Sequence, residues 1–361
     1  MPSASPAGPS KRTRAGAAIR YATAAAAAIV LVSLGSLSAR QPAPMLPPAA
    51  MRAVELGWLQ WERRDPENLA IAQRHFALTI RLAPNDARGY AGMAAVAGIR
   101  ADRAKPGTEQ RHWLREALDY ASKALARDPH NADAVDVRGL VALEKNDWRA
   151  ADGIFRQAQA LDEGNPYAHI WRGMALMDEG RLDEGRREFV RGEELDPQSK
   201  IAASWLGTAL YNERAYDAAA EQFRSVLELD PRDAGAIVEL ARIDEVHRDY
   251  DRALARLRSP AARIPAEERD PMVARLDALR GRVTQARREF AAVSRRAAKH
   301  ADPLEIAATQ LVLGDRGAAL ATLKKLSTSS KYHEVNRSLE WDVRFDALRH
   351  LALENHVAQT D

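Results

Sequence analysis

The chain has 361 residues, a formal net charge of +3 and no cysteine. The missing cysteine excludes disulfides, thiolate zinc sites and a lipid anchor on an N-terminal cysteine. The positive charge belongs to residues 1–45, which hold five of the 53 basic residues and none of the 50 acidic residues. The rest of the chain is nearly neutral, so we expect no nucleic-acid partner.

The first fifty residues predict a membrane-targeting region. Residues 1–20 combine a Pro/Ser/Ala-rich start with a basic cluster, and residues 21–39 carry no charge. We expect the tail to be disordered and cytoplasmic, because polar segments do not fold alone and basic clusters stay inside. The 19 uncharged residues are long enough to span a bilayer, and residues 40–50 are a Pro/Ala-rich linker.

Two interpretations of residues 21–39 stay open. The length favours an uncleaved single transmembrane helix in a bacterial inner membrane, with the following chain in the periplasm or another extracytoplasmic space. The small residues Ser36 and Ser38 would instead suit signal cleavage after Ser38 and a secreted, periplasmic product. A soluble alanine-rich helix is the third and least favoured alternative.

From residue 51 onward the sequence repeats with a period of 34 residues. Phe155, Phe189 and Phe223 mark the period most clearly. Glycines, small residues, aspartates and prolines recur at the same spacing: Gly139, Gly173 and Gly207; Ala151, Gly185, Ala219 and Ala253; Asp162, Asp196 and Asp230; Pro197, Pro231 and Pro265. A fixed period of this length is typical of stacked units that each contain two helices.

Residues 200–233 show the physics of one unit. Gly207 on the first helix allows a neighbouring helix to approach closely. Ala219 and Phe223 are four residues apart on the second helix, so they share one face. Pro231 ends that helix because it lacks an N–H and its ring clashes with the preceding turn. This pattern resembles the tetratricopeptide repeat, including Tyr216 and the run at 227–231.

The resemblance implies an all-α, right-handed superhelical solenoid across 51–361. It would contain about seven repeats, each a pair of antiparallel helices, and a C-terminal capping helix. Its repeat core is predicted to contain Ala72, Phe76, Gly139, Ala151, Phe155, Gly173, Phe189, Gly207, Ala219, Phe223 and Pro231. The second unit carries 11 extra residues between Pro84 and Pro129, which we expect in a loop near 100–110.

No catalytic motif accompanies the repeats. The sequence has no metal-protease helix motif, phosphate-cradling glycine loop or nucleophile elbow. We therefore expect no enzymatic activity, no cofactor and no metal site. Arrays of this kind bind other proteins, and the identity of the protein partner does not follow from the sequence.

The resemblance places the partner on a concave surface lined by the first helix of each unit. The positions that face this groove in tetratricopeptide repeats correspond here to Tyr167, Ile170, Met174, Met177, Thr208, Tyr211, Asn212 and Arg242, with Trp61 at the same phase. Such an amphipathic strip suits an extended or helical peptide. The alternative is that some of these side chains belong to the core between repeats.

A closer resemblance covers 51–361. The landmarks are Asp147-Trp148, the segments 180–184 and 194–197, and the segment 341–349. Their order resembles the periplasmic repeat domain of CadC-type membrane-anchored winged-helix regulators and related domains of bacterial cyclases. In those regulators a winged-helix domain precedes the membrane segment, whereas only 20 residues do so here. We therefore expect no direct DNA binding, and the closing segment 341–349 should cap the last repeat.

Two functions follow as hypotheses. The first is a non-enzymatic, membrane-anchored scaffold that binds peptide or protein segments in its groove. The second is a sensory or regulatory protein that controls a separate transcription regulator or signalling partner. The second needs an intact membrane span, whereas the first does not.

Overall fold

The computed structural model describes residues 45–104, 107–297, 302–327 and 342–348. The predicted tail at 1–20, the predicted membrane or signal segment at 21–39 and residues 40–44 of the linker lie outside this range. Among the described residues, no helix is both long and apolar enough to cross a membrane. The described residues from 48 onward form one compact unit.

The described part of this unit contains sixteen α-helices, two 3-10 helices and no strand. The α-helices are α1 Pro48–Trp61, α2 Pro66–Leu82, α3 Ala87–Arg103, α4 Thr108–Leu125, α5 Ala132–Glu144, α6 Trp148–Leu161, α7 Pro166–Asp178, α8 Leu182–Leu195, α9 Lys200–Asn212, α10 Tyr216–Leu229, α11 Ala234–Val246, α12 Tyr250–Leu257, α13 Ala266–Leu279, α14 Val283–Ala297, α15 Pro303–Val312 and α16 Arg316–Ser327. The 3-10 helices are Pro260–Ala262 and Val343–Leu348.

Consecutive helices pack in pairs, from α1 with α2 to α15 with α16. We call the odd-numbered members A helices and the even-numbered members B helices. The described residues thus contain eight pairs, one more than the seven or so that the sequence predicts. The first pair begins at Pro48, inside the segment predicted to be linker.

Four consecutive A helices, α5, α7, α9 and α11, each begin with a side-chain cap. The capping residues stand 34 apart and are Asn131, Asn165, Ser199 and Asp233. Each side-chain oxygen accepts a hydrogen bond from an N–H that the helix itself leaves unpaired. The period of 34 therefore sets helix starts as well as core packing.

The turn between the A and B helices of the same four pairs contains one residue with positive φ. These residues also stand 34 apart and are Asn146, Gly180, Arg214 and Arg248. A left-handed conformation suits the glycine and is less favourable for the two arginines. The chain thus keeps the turn geometry even where the sequence does not supply the residue that prefers it.

Glycines on A helices admit the phenylalanine rings of their B helices. A Cβ atom on Gly139 would lie 2.4 Å from Cε1 of Phe155, and one on Gly207 would lie 2.8 Å from Cζ of Phe223. Both rings are buried. The other predicted core positions that the structure buries are Ala72, Phe76, Ala151, Gly173, Phe189 and Ala219. Pro231 is exposed and lies two residues beyond the end of α10.

Replacing Gly139 with Ala is expected to lower the free energy of unfolding by about 1–3 kcal/mol, because the methyl group would overpack the site against Phe155. Gly153 on α6 provides the matched control, since a Cβ there would meet no atom within 4 Å. Gly153→Ala should raise the free energy of unfolding by about 0.5–1 kcal/mol through helix propensity. Urea denaturation of both variants measures the difference, and equal effects would contradict the close glycine–phenylalanine packing.

The extra residues of the second unit lengthen its helices. Helices α3 and α4 have 17 and 18 residues, whereas α5 and α6 have 13 and 14. Each of the two helices is therefore longer by about one turn. The extra residues lie near 100–110, as expected, but most of them extend the helices, because α3 continues to Arg103 and α4 begins at Thr108 and only 104–107 connect them. Residues 105–106 lie outside the described part of the chain.

Candidate protein-binding site

The predicted groove residues lie on the A helices α7, α9 and α11. We call the surface formed by the A helices of the array, α5 to α15 included, the A-helix face. Ile170, Met177 and Tyr211 are only 0, 4 and 6% exposed. These three side chains belong to the core between helices, as the alternative interpretation of the pattern allowed. Four other predicted residues are half-buried on α7 and α9 and keep part of their surface accessible: Tyr167, Met174, Thr208 and Asn212.

The start of α7 is covered by the end of α1. The ring of Trp61 contacts Tyr167 edge to face, with centroids 5.0 Å apart, and Trp61 is itself buried. The Arg64 guanidinium stacks over the same two rings, 4.4 Å from the Trp61 centroid and 5.5 Å from that of Tyr167. This burial raises the pKa of Tyr167 to about 12. The end of the first helix pair's A helix thus covers the A-helix face at Tyr167, in the fourth pair.

Farther along, Arg242 on α11 belongs to a buried ion network. Its Nη2 donates to Oε1 of Glu305 on α15 at 2.7 Å, and its guanidinium also pairs with Glu239. Arg275 on α13 pairs with Glu305 as well, and its Nη2 donates to Oε2 of Glu245 at 2.7 Å. Arg275 and Glu305 are both fully buried. We call these five residues the Glu305 network, and it joins three consecutive A helices.

The 3-10 segment that follows residue 341 completes this network. Arg344 pairs with Glu305 and with its own neighbour Asp342. Phe345 is buried in an apolar pocket formed by α15 and α16: Ala307, Ala308, Ala319 and Leu323. At the far end, Nη2 of Arg214 donates to Oδ1 of Asp346 at 2.9 Å. Residues 342–348 therefore reach from α15 to the turn after α9.

Two pKa shifts show how closely this segment lies against the face. Burial, followed by the charge of Asp342, raises the pKa of Tyr211 on α9 far above its ordinary range. Burial alone would raise the pKa of Glu305, but Arg275, Arg344 and Arg242 lower it well below its ordinary value. Glu305 is thus held as a carboxylate at the centre of three guanidinium groups.

Sequence reasoning predicted a capping role for the segment 341–349 and an accessible role for Arg242. The buried ring of Phe345 is one observed capping contact, whereas residues 341 and 349 of the segment lie outside the described residues. The structure places Arg242 inside the Glu305 network, so its charge is already paired. One feature of the sequence could have indicated this network. Arg275 is a charged residue between the apolar residues Val273-Ala274 and Leu276 on an A helix.

A second acidic position lies nearer the N-terminal end of the A-helix face. Glu144, at the end of α5, accepts a hydrogen bond from Nε2 of Gln110 at 2.9 Å. Burial, followed by the nearby charge of Asp102, raises the pKa of Glu144 to about 7. Because the folded-state pKa exceeds the unfolded value, this carboxyl group makes folding less favourable as the pH rises from about 4.5 to 7.

The Glu144→Gln variant is therefore expected to match the wild type at about pH 4.5 and to be more stable above pH 7. Gln keeps an acceptor for Gln110 and carries no charge. Allowing for partial exposure, we expect a gain of about 1–2 kcal/mol at pH 8. Denaturation at the two pH values measures it, and a gain of the same size at pH 4.5 would contradict the raised pKa.

In the part of the chain that the structure describes, no group of three or more His, Cys, Asp or Glu side chains could hold a metal ion. What the face offers is a buried carboxylate ringed by guanidinium groups, an apolar pocket beside it, and half-exposed polar and apolar side chains on α7 and α9. These features are suited to non-covalent recognition of amino-acid side chains.

Comparison with known proteins identifies the repeats. The tetratricopeptide repeat model matches residues 137–200 and 172–234. The structure of the Cut9–Hcn1 hetero-tetramer of the APC/C is similar over 83% of this chain and 58% of that chain, with 14% identity and a TM-score of 0.54. No curated protein matches this sequence.

Two further neighbours match less of the chain. PilF of Pseudomonas aeruginosa is 19% identical over 58% of this chain and 89% of that chain, with a TM-score of 0.43. YrrB, a tetratricopeptide repeat protein with an unusual peptide-binding site, is 25% identical over 50% of this chain and 88% of that chain, with a TM-score of 0.35. The fold is thus an all-helical tetratricopeptide repeat solenoid, and such repeats generally mediate protein–protein interactions.

Proposed function

We propose that this chain is a non-enzymatic tetratricopeptide repeat scaffold that binds a segment of another protein on its A-helix face. The observation that carries the proposal is that residues 342–348 of the chain itself already lie there. Arg344 binds Glu305, Phe345 fills an apolar pocket and Asp346 pairs with Arg214. A surface that holds one short segment through charge, aromatic burial and a rim contact has the chemistry to hold another.

Toward α7, the described residues leave part of the face accessible, and we extend the proposed site there. Met174, Thr208 and Asn212 are half-buried there, and Arg214 stands at its border with 342–348. Methionine adapts to different apolar partners, and the hydroxyl and amide groups can exchange hydrogen bonds with a peptide backbone. We therefore expect a bound segment to run along α9 and α7.

Site-specific photocrosslinking tests the proposal. A photoreactive amino acid would replace Met174, Thr208 or Asn212 in the full chain, and its adducts would be identified by mass spectrometry. Exposed B-helix positions Glu221 and Arg224 serve as matched controls. We expect one protein to be captured from all three face positions and from neither control. Capture from the B-helix positions alone would place the binding surface elsewhere.

We further propose that residues 21–39 anchor the chain in a bacterial inner membrane, with the repeat array in the periplasm. The basic cluster before an uncharged stretch of 19 residues supports this arrangement. The resemblance of 51–361 to the periplasmic domains of CadC-type regulators supports it as well, and it is also what motivates a sensory or regulatory role.

The location is tested on intact spheroplasts that contain the full chain. We expect external protease to digest the array and the N-terminus to stay protected in the membrane fraction. A mature protein that begins at Ala39 would refute the anchor and would also remove the regulatory alternative, since that role requires a continuous span.

A further inference from the structure

Around Arg344 the A-helix face is a cation site. Glu305 on α15 pairs with Arg344, Arg242 and Arg275, and Arg344 also interacts electrostatically with Glu239 on α11. Without residues 342–348, the site would lack the third guanidinium group that contacts Glu305. It therefore favours an occupant that brings a guanidinium group, because Arg offers several donors to a carboxylate at fixed geometry.

Two more acidic side chains, Glu268 and Asp302, lie near Glu305. Burial is the larger cause of the raised pKa values of Glu268 and Asp302, and the nearby charge of Glu305 raises both further. Glu268 lies on α13 and Asp302 caps α15. Glu305 pairs with Arg344 directly, and Glu239 and Asp302 interact electrostatically with it, so acidic side chains of α11 and α15 favour a guanidinium group at this position.

An aromatic pocket stands directly beside the cation site. Phe345 is fully buried among side chains that are mostly alanines, which leave room for a flat ring: Ala307, Ala308, Ala319 and Leu323. Because Arg344 and Phe345 are adjacent, the two sites are spaced for neighbouring residues of one segment. The third contact is at the rim, where the Arg214 and Asp346 side chains are each 42% exposed.

We propose, on the basis of the proposed function, that the partner presents an Arg–aromatic–acidic motif to these three positions. Residues 344–346 of this chain are an internal copy of that motif and occupy the site until the partner displaces them. The expected occupant is therefore a segment of another protein with this chemistry. A tethered competitor acts at a high effective concentration, so it lowers the apparent affinity of the partner by the fraction of sites that it fills.

The probe for this proposal is a fluorescent heptapeptide with blocked ends and the sequence of residues 342–348. Its binding would be compared between the wild-type chain and the Arg344→Ala/Phe345→Ala variant. We expect the variant to bind the peptide at least about tenfold more tightly, because its own segment no longer competes. A peptide in which the Arg and Phe are replaced by Ala should bind neither protein.

A second variant leaves the buried contacts intact, in case the double variant does not fold. Asp346→Ala removes the exposed rim pair and leaves the Arg214 side chain in place for the peptide. Since exposed ion pairs contribute little, we expect about a two- to fivefold gain in peptide affinity. Circular dichroism would verify that both variants keep the helical content of the wild type.

The opposite manipulation locks the segment in place. The chain has no native cysteine, so Arg214→Cys/Asp346→Cys can be joined selectively with a short, cleavable bismaleimide. We expect the lock to abolish peptide binding and cleavage of the linker to restore it, whereas the singly substituted chains treated with the same reagent still bind the peptide. A locked chain that binds the peptide as well as the unlocked chain would overturn the proposal.

The outcomes separate this inference from the proposed function. If the heptapeptide binds none of the folded variants while photocrosslinks still form at Met174, Thr208 and Asn212, residues 342–348 are a permanent cap and the partner motif is wrong. If photocrosslinks form only on B helices while the heptapeptide binds as expected, the site exists but the partner uses another surface.

Discussion

Replacing Phe223 with Ala is expected to lower the free energy of unfolding by about 3–5 kcal/mol. The ring is 1% exposed and packs with Ala219, Ala220 and Val226 in one core cluster. Alanine would leave a cavity that Gly207 cannot fill, because glycine has no side chain to move into it. The loss therefore combines the transfer free energy of the ring with the cost of the cavity.

Chemical denaturation followed by far-ultraviolet circular dichroism measures this loss. Leu229 on the same helix is 47% exposed and provides the matched control. Leu229→Ala should change the free energy of unfolding by no more than about 0.5 kcal/mol. If unfolding proceeds in steps, as stacked repeats allow, the step that involves α9 and α10 is the one to compare. Equal losses for the two variants would contradict the repeat core.

The Glu305→Leu variant is expected to lose about 3–5 kcal/mol of stability. Leucine has a similar volume, so the loss would not come from a cavity. It would come from Arg242, Arg275 and Arg344, which would remain close together without their shared carboxylate. Each guanidinium group would keep one other carboxylate, Glu239, Glu245 or Asp342, but the three buried positive charges would lose the acceptor that they share.

The pH dependence has a defined sign. The pKa of Glu305 in the folded chain lies below its ordinary value, so its contribution is fully present above about pH 4.5 and is lost as the pH falls further. The Glu305→Leu variant should therefore approach the wild-type stability as the solution becomes more acidic. Denaturation at pH 7 and below pH 4 measures the change.

An exposed pair supplies the control for Glu305. The carboxylate of Glu213 accepts from Nε of Arg186 at 3.0 Å, and both side chains are partly exposed. Glu213→Leu should cost no more than about 1 kcal/mol. A Glu305→Leu loss of the same small size would show that the three guanidinium groups are solvated. It would contradict a buried Glu305 network.

The repeat fold could be predicted because its determinants are local and periodic. A glycine such as Gly139 and a phenylalanine such as Phe155 lie within one unit, and the same packing recurs at each period of 34. Helix caps such as Asn165 follow the same period, although the sequence pattern did not single them out. The position of the extra residues between Pro84 and Pro129 could be predicted, whereas their helical conformation at the end of α3 and the start of α4 could not.

The details of the face depend on contacts between distant units, which a period of 34 does not encode. Arg242 and Glu305 are 63 residues apart, and Arg214 and Asp346 are 132 residues apart. The position of a residue within the 34-residue repeat could not distinguish buried residues such as Ile170 from accessible ones such as Met174. An A helix packs against its B helix and its neighbouring A helices, so a shift of one residue changes which side chain is buried.

The most direct test of the A-helix face as a segment-binding surface is a proximity measurement within the chain. Arg214→Cys and Asp346→Cys can carry nitroxide labels without interference, since the native sequence has no cysteine. We expect strong dipolar broadening of the electron paramagnetic resonance spectrum relative to the summed spectra of the singly labelled chains. A spectrum equal to that sum would show that residues 342–348 do not lie on the face, and would contradict its assignment as the binding surface.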